Sequence, residues 1–181
     1  MSSPDPNFSA DHFALLGLAR AQAIDAGELD ARFRELQARV HPDRHAHAGE
    51  SDQRLAMQWA TRVNEAYQTL KAPLPRARYL LHLLGHDAQI ESNTAMPTEF
   101  LMAQMELREA VADAKAAADE LALEDLRERL IGEIRAEHGR LQALIDTARD
   151  YPSATALVRQ LMFQEKLLHE IDDAIVALEE E

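Results

Sequence analysis

Apolar residues in the first half of the chain recur at the three- and four-residue spacing of amphipathic helices. This spacing predicts a short helix after Ser9 or Asp11, and longer helices from Asp25 or Glu28 to Val40, over about 52–71 and over 76–85. Pro73 and Pro75 end the third of these helices, and Gly85 fits the C-terminal cap of the fourth. The expected inward faces comprise Phe13, Leu15, Leu16 and Leu18; Leu29, Phe33, Leu36 and Val40; Leu55, Trp59, Val63, Ala66 and Leu70; and Ala77, Leu80, Leu81 and Leu84.

The second half of the chain shows the spacing of a helix bundle. Residues 86–97 lack periodicity; Thr98 is then expected to cap one helix, a second to run over about 124–150, and Ser153 to cap a third after Pro152 interrupts. The expected seams comprise Leu107, Val111, Ala114 and Ala118; Leu126, Leu130, Ile134, Leu141 and Ile145; and Leu157, Leu161, Gln164, Leu168, Ile171, Ile175 and Leu178. We therefore predict an all-α protein with one domain at 1–85, a linker at 86–97 and a three-helix bundle at 98–181.

Composition and charge narrow the function classes. The 181 residues include no cysteine, which excludes disulfides and thiolate ligands from this chain. No run of 18 apolar residues and no secretory signal is visible, so we expect no membrane partner and a cytoplasmic location. Residues 96–181 hold 20 acidic and 9 basic residues within a net charge of −13, which argues against a nucleic-acid partner.

The tripeptide His41-Pro42-Asp43 follows the predicted helix that ends at Val40, because Pro42 disfavours a helical conformation for the residue before it. The order of helix, HPD, loop and helix, after the run DHFALLGL, resembles a J-domain. The resemblance implies a J-domain at 1–85 that contacts a DnaK-class chaperone ATPase. The residues implied in this contact are His41, Pro42, Asp43, Arg32, Arg34, Arg39 and Arg44.

A metal site is the rival interpretation of the same loop. His41, Asp43, His45 and His47 lie within seven residues, and imidazole with carboxylate suits zinc or nickel. Histidines two residues apart in a loop are often only solvated, however, and no further ligand group is evident. We therefore expect no metal and no cofactor. Since no nucleophile with a base and no phosphate-binding loop is visible, we also expect no catalytic residue and no enzyme.

The run at residues 100–111 has apolar residues on two faces of its predicted helix. With Phe100 at zero and about 100° per residue, Leu107, Val111 and Ala114 fall on the core side. The opposite side carries Leu101, Met102, Met105, Glu106 and Glu109. These residues form either a wide apolar stripe or an exposed docking surface. Phe163 lies off the third seam, so we expect it to be partly exposed, and it would extend such a surface if it lies alongside.

A J-domain, a linker and a bundle containing FLMAQMELRE resemble the HscB family, bacterial co-chaperones of iron–sulfur cluster assembly. PLPRARYLLHLLG and VRQLMFQEKL add to a resemblance that covers nearly the whole chain. It implies that the HPD loop addresses the chaperone HscA and stimulates its ATPase. It also implies that the scaffold protein IscU binds at Leu101, Met102, Met105, Glu106, Glu109 and Phe163. A J-domain co-chaperone for a different client stays open, as does an enzyme or metal protein that uses the His-rich loop.

Overall fold

The computed structural model describes residues 9–40, 49–86 and 95–179, and the regular structure in these ranges is entirely helical, which confirms the predicted all-α class. The chain divides into two compact units, Met1–Leu80 and Leu81–Glu181. The predicted domain boundaries, with a linker at 86–97, stay a prediction. The helices are α1 (His12–Leu15), α2 (Ala26–Val40), α3 (Glu50–Lys71), α4 (Pro73–Leu83), α5 (Thr98–Ala116), α6 (Glu120–Gln142) and α7 (Tyr151–Glu179).

In the first unit, α2 and α3 form an antiparallel hairpin. Val40, at the end of α2, packs with Trp59 and Val63 of α3. Near the other end of the pair, Phe33 stacks on Tyr67 with ring centroids 4.0 Å apart, and the Tyr67 hydroxyl donates to Asp30 Oδ1 at 2.8 Å. The contacts therefore pair the end of α2 with the start of α3, and the start of α2 with the end of α3.

The short helix α1 adds buried residues to this unit. The Asp11 side chain caps it by accepting a hydrogen bond from the Ala14 N–H at 3.0 Å. Phe13 and Leu16 are buried as predicted. Leu18 lies beyond the helix, because Gly17 turns the chain at φ +67° and the Leu18 N–H donates to the Phe13 carbonyl at 2.8 Å. The prediction that Leu18 belongs to the helix is therefore wrong.

Several predicted positions in α3 and α4 differ from the structure. Helix α3 begins at Glu50 after Gly49 rather than at Asp52, and Leu55 is exposed while Ala56 is buried. Helix α4 begins at Pro73. Proline is tolerated in the first turn of a helix, because the N–H that it lacks would have no acceptor within the helix there. Leu84 lies past the end of α4 and is exposed, whereas Ala77, Leu80 and Leu81 are buried. Gly85 is the predicted C-cap, with φ +81° and the His86 N–H donating to the Leu81 carbonyl at 2.8 Å.

The second unit contains the three-helix bundle of α5, α6 and α7. Thr98 is the first helical residue of α5, after Pro97, and not its cap. Helix α6 begins at Glu120, four residues before the predicted start, because the Asp119 side chain accepts from the Ala122 N–H at 3.0 Å. It continues into a π-helical turn at Ala143–Ala148. The predicted interruption occurs at Arg149 and Asp150, two residues before Pro152, and helix α7 begins at Tyr151 with Pro152 in its first turn. Asp150 and not Ser153 caps α7, since its side chain accepts from the Ser153 N–H at 3.1 Å.

The bundle core matches most of the predicted seams. Leu107, Val111 and Ala114 are buried on α5, but Ala118 lies beyond the helix in a left-handed conformation at φ 51° and is exposed, which corrects its assignment to the core. On α7, Leu167 and Ala174 are buried more completely than their predicted neighbours Leu168 and Ile175. The predicted seam alternates steps of four and three residues, whereas an α-helix has about 3.6 residues per turn. Along a helix of this length the buried position therefore differs from the predicted one by one residue.

Candidate docking surface

The predicted chaperone-facing residues fall in two groups. His41, Pro42, Asp43 and Arg44 lie outside the described residues, as do His45 and His47 of the rival metal site. Arg32, Arg34 and Arg39 lie on α2, where all three are exposed. Arg32 Nη2 forms an ion pair with Glu28 Oε1 at 3.5 Å, and Arg34 Nε donates to the Asp30 carbonyl at 3.3 Å. The helix that precedes the HPD sequence thus presents three guanidinium groups to solvent.

The outward face of α5 is exposed as predicted. Leu101 is 42 % exposed, Met102 57 % and Met105 71 %, whereas Leu107 on the opposite face is 5 % exposed. Glu106 and Glu109 are exposed on the same outward face. The interpretation of this run as a wide buried stripe is therefore wrong, and the three apolar side chains are free to contact a partner.

Phe163 lies on α7 and is 41 % exposed, which confirms the expectation of partial exposure. Its distance from the α5 face depends on how α5 and α7 are aligned. Helices α5 and α6 are joined by only three residues, 117–119, a connection that makes two neighbouring helices antiparallel. Because α7 is also antiparallel to α6, we infer that α5 and α7 run in the same direction. Side-chain contacts show the antiparallel direction of α6 and α7: Arg127 contacts Asp172 at 2.5 Å, and His138, later in α6, contacts Glu165, earlier in α7, at 2.9 Å.

An ion pair sets the alignment of α5 with α7. Arg108 Nη1 contacts Glu170 Oε2 at 2.7 Å. Seven residues earlier on each helix are Leu101 and Phe163, and seven residues are nearly two complete turns, or about 10.5 Å along the axis. Leu101 and Phe163 therefore lie side by side on the same surface of the bundle. A groove below them agrees with this alignment, since it is lined by Arg108, Val111, Ala112, Lys115, Leu167, Glu170 and Asp173.

We use the name docking patch for Leu101, Met102, Met105, Glu106, Glu109 and Phe163. It combines four apolar side chains with two carboxylates on the outer edge of α5. Its chemistry suits protein binding: the apolar groups supply contact area, and the carboxylates favour a partner with basic groups at the rim. Sequence reasoning missed the Arg108–Glu170 pair, because nothing local indicates a contact between residues 62 positions apart.

Outside the docking patch, the described residues include one buried histidine, His12. In the ranges 9–40, 49–86 and 95–179, no group of three or more His, Cys, Asp or Glu side chains could hold a metal ion. His12 is buried and stacks on Tyr79 with centroids 4.3 Å apart; burial lowers the pKa of this imidazole below its usual value.

None of the helices in the described part of the chain is long and apolar enough to span a membrane.

Comparisons with known proteins agree with this architecture. A family model described as the HSCB C-terminal oligomerisation domain matches residues 96–172. The co-chaperone protein HscB homolog of Ralstonia nicotianae is 53 % identical over 95 % of this chain and 98 % of its own length. That of Chromobacterium violaceum is 55 % identical over 95 % of this chain and 97 % of its own length.

Two solved structures share the fold. Chaperone HscB from Vibrio cholerae superposes with a TM-score of 0.81 at 37 % identity, covering 93 % of this chain and 99 % of that one. The human co-chaperone protein HscB gives 0.86 at 26 % identity, covering 95 % of this chain and 84 % of that one. These likenesses confirm the predicted J-domain followed by a C-terminal helical domain. By sequence and by structure, this chain belongs to the HscB family of co-chaperones.

Proposed function

We propose that this chain binds the iron–sulfur scaffold protein IscU, presents it to the DnaK-class chaperone HscA and stimulates ATP hydrolysis by HscA. In this way it assists the assembly and transfer of iron–sulfur clusters and the maturation of iron–sulfur proteins in the cytoplasm. The observation that carries the proposal is the docking patch, with four large apolar side chains exposed together on two helices of a family member's C-terminal domain.

The patch supports the scaffold-binding part of the proposal on physical grounds. Leu101, Met102 and Met105 have between 42 % and 71 % of their surface exposed. Large apolar side chains grouped on a surface mark interaction sites, and methionine adapts its shape to a partner because its side chain is unbranched. Glu106 and Glu109 would then meet basic groups of IscU at the rim.

The chaperone-binding part rests on the HPD sequence and on the exposed arginines of α2. Arg32, Arg34 and Arg39 provide cations for an acidic surface of HscA, next to the predicted HPD loop. In this proposal the chain contributes no catalytic residue and no cofactor of its own. It changes the rate of ATP hydrolysis by binding HscA, and HscA carries out the chemistry.

The decisive experiment measures HscA ATPase rates with this chain alone, with IscU alone and with both together. We expect modest stimulation by either protein and a more than additive rate with both. Met105→Ala should remove most of the gain that IscU adds, because Met105 is 71 % exposed in the docking patch. Leu121→Ala is the matched control, since Leu121 is 74 % exposed on α6 outside the patch and should behave like the original chain.

Two outcomes would contradict parts of the proposal. If the chain stimulates HscA but does not bind IscU, it serves a different client, which is the alternative left open by the sequence. If Met105→Ala and Leu121→Ala behave alike while IscU binds normally, the scaffold site lies elsewhere on the bundle.

A further inference from the structure

The docking patch contains two exposed methionines, Met102 and Met105. The sequence has six methionines and no cysteine. Within residues 9–40, 49–86 and 95–179, the exposed methionines are Met57, Met102 and Met105, at 61 %, 57 % and 71 %. Met96 and Met162 are only partly accessible. Oxidation of a thioether follows its exposure. Two of the three exposed methionines in these ranges belong to the surface proposed to bind IscU.

We propose that Met102 and Met105 are an oxidation-sensitive modification site that turns scaffold binding off. The inference rests on the proposed function of the docking patch and adds a form of regulation to it. The oxidant is a peroxide, with hydrogen peroxide as the simplest case. The sulfur atom attacks one peroxide oxygen, an S–O bond forms and the O–O bond breaks. The other oxygen leaves as hydroxide and takes the proton of the oxygen now bound to sulfur, which gives the sulfoxide and water. Sulfur loses two electrons and the peroxide gains them.

Oxidation changes the chemistry of the patch more than its shape. A sulfoxide is polar and chiral, whereas the thioether it replaces is apolar and flexible. A polar group buried in an apolar interface without a hydrogen-bond partner is unfavourable. Met102 and Met105 are three residues apart on one face of α5, so both sulfoxides would enter the same interface. We expect the Kd for IscU to rise tenfold or more, which corresponds to about 1.4 kcal/mol.

The same oxidation should leave the fold unchanged. Both side chains point away from the core, which on α5 is formed by Leu107, Val111 and Ala114. No thiol is present to compete for the oxidant, because the chain lacks cysteine. A loss of IscU binding at constant melting temperature would therefore report on the patch itself. A methionine sulfoxide reductase supplied with a dithiol should restore binding, because it returns the sulfoxide to the thioether.

The test uses the full chain oxidised with hydrogen peroxide to a mean of about one sulfoxide per molecule, a level at which the sites compete by their exposure. The mixture is passed over immobilised IscU, and the bound and unbound fractions are digested and mapped by mass spectrometry. Sulfoxide at Met102 and Met105 should be depleted in the bound fraction at least fivefold relative to the unbound one. Sulfoxide at Met57, equally exposed but in the first unit, should divide evenly.

Two results overturn the inference: even division of sulfoxide at Met102 and Met105, or a failure of peroxide to modify them while Met57 is oxidised. As a second measurement, the double variant Met102→Leu, Met105→Leu is compared with itself before and after peroxide: its Kd for IscU should change by less than about twofold on treatment, because leucine has no sulfur to oxidise. Met57→Leu should remain peroxide-sensitive. If the untreated chain does not bind IscU at all, the proposed function itself fails; if it binds and only the peroxide effect is missing, the inference alone fails.

Discussion

Replacing Met105 by alanine separates binding from stability most clearly. Met105 and Leu107 are two residues apart on α5, yet Met105 is 71 % exposed and Leu107 is 5 % exposed. The two truncations remove similar apolar volume from opposite faces of one helix. We expect Met105→Ala to weaken IscU binding with little effect on stability, and Leu107→Ala to destabilise the bundle.

The magnitudes follow from these exposures. Full burial of a methionine side chain is worth about 1.5–3 kcal/mol. A partner can bury at most the 71 % that is still exposed on Met105, so truncation should cost roughly 1–2 kcal/mol of binding, or about 5- to 30-fold in Kd. The contacts already made within the bundle are few, and their loss should cost about 0.5 kcal/mol or less. Leu107→Ala should instead lower the free energy of unfolding by about 2–5 kcal/mol.

Urea unfolding and titration of labelled IscU on the same protein preparations provide the two measurements. Leu121→Ala serves as a control for the loss of an exposed apolar side chain, because Leu121 is 74 % exposed on α6. Its Kd should stay within about twofold of the original value. A Met105→Ala variant that loses more than about 2 kcal/mol of stability with unchanged Kd would show that this side chain belongs to the core and would refute the assignment of the docking patch.

The remaining predictions address other parts of the chain. His41→Gln should abolish HscA stimulation while IscU titrations are unchanged; normal stimulation would remove the HPD assignment. Glu106→Gln with Glu109→Gln should weaken IscU binding at low salt, and the difference should shrink as salt rises, since rim charges are screened; a salt-independent difference would argue against rim contacts. Ala118→Gly should raise the free energy of unfolding by about 0.5–1 kcal/mol, because it relieves a left-handed alanine at φ 51°, whereas Ala112→Gly within α5 should lower it by about 1 kcal/mol. Burial lowers the pKa of His12 in the folded chain, so its contribution to stability is complete above the unfolded value of about 6.5 and is lost as pH falls below it; melting curves at several pH values should show a shallower acid loss for His12→Phe than for the original chain.

The sequence was sufficient to predict the helices and most of their buried faces, because a helical period of about 3.6 residues is a local property. The sequence predicts the ends of helices less reliably. The first residue of a helix depends on which of several nearby polar side chains accepts hydrogen bonds from the free N–H groups of the first turn. Asp119 and not a later residue caps α6, and Asp150 rather than Ser153 caps α7. The spacing alone predicts that Leu55 faces inward, whereas Ala56 takes the buried position.

The candidate site was predicted in part for the same reason. The exposure of Leu101, Met102 and Met105 follows from a helical wheel, so it could be stated from the sequence. That Phe163 lies beside Leu101 could not, since their relation depends on the alignment of α5 with α7. The Arg108–Glu170 ion pair reveals that alignment, and the sequence between these residues contains all of α6.

Because the docking patch draws on both α5 and α7, it exists only when the bundle is folded. Any partner that binds it is therefore thermodynamically linked to folding: it binds the folded chain and not the unfolded one, and so raises the apparent stability of the bundle. With free partner at a hundred times its Kd, this linkage amounts to about 2.7 kcal/mol. An isolated α5 peptide would lack Phe163. It would also lose conformational entropy when it binds, whereas the folded bundle is already ordered before binding. In a cell, the fraction of this protein protected from unfolding would thus rise and fall with the supply of its partner.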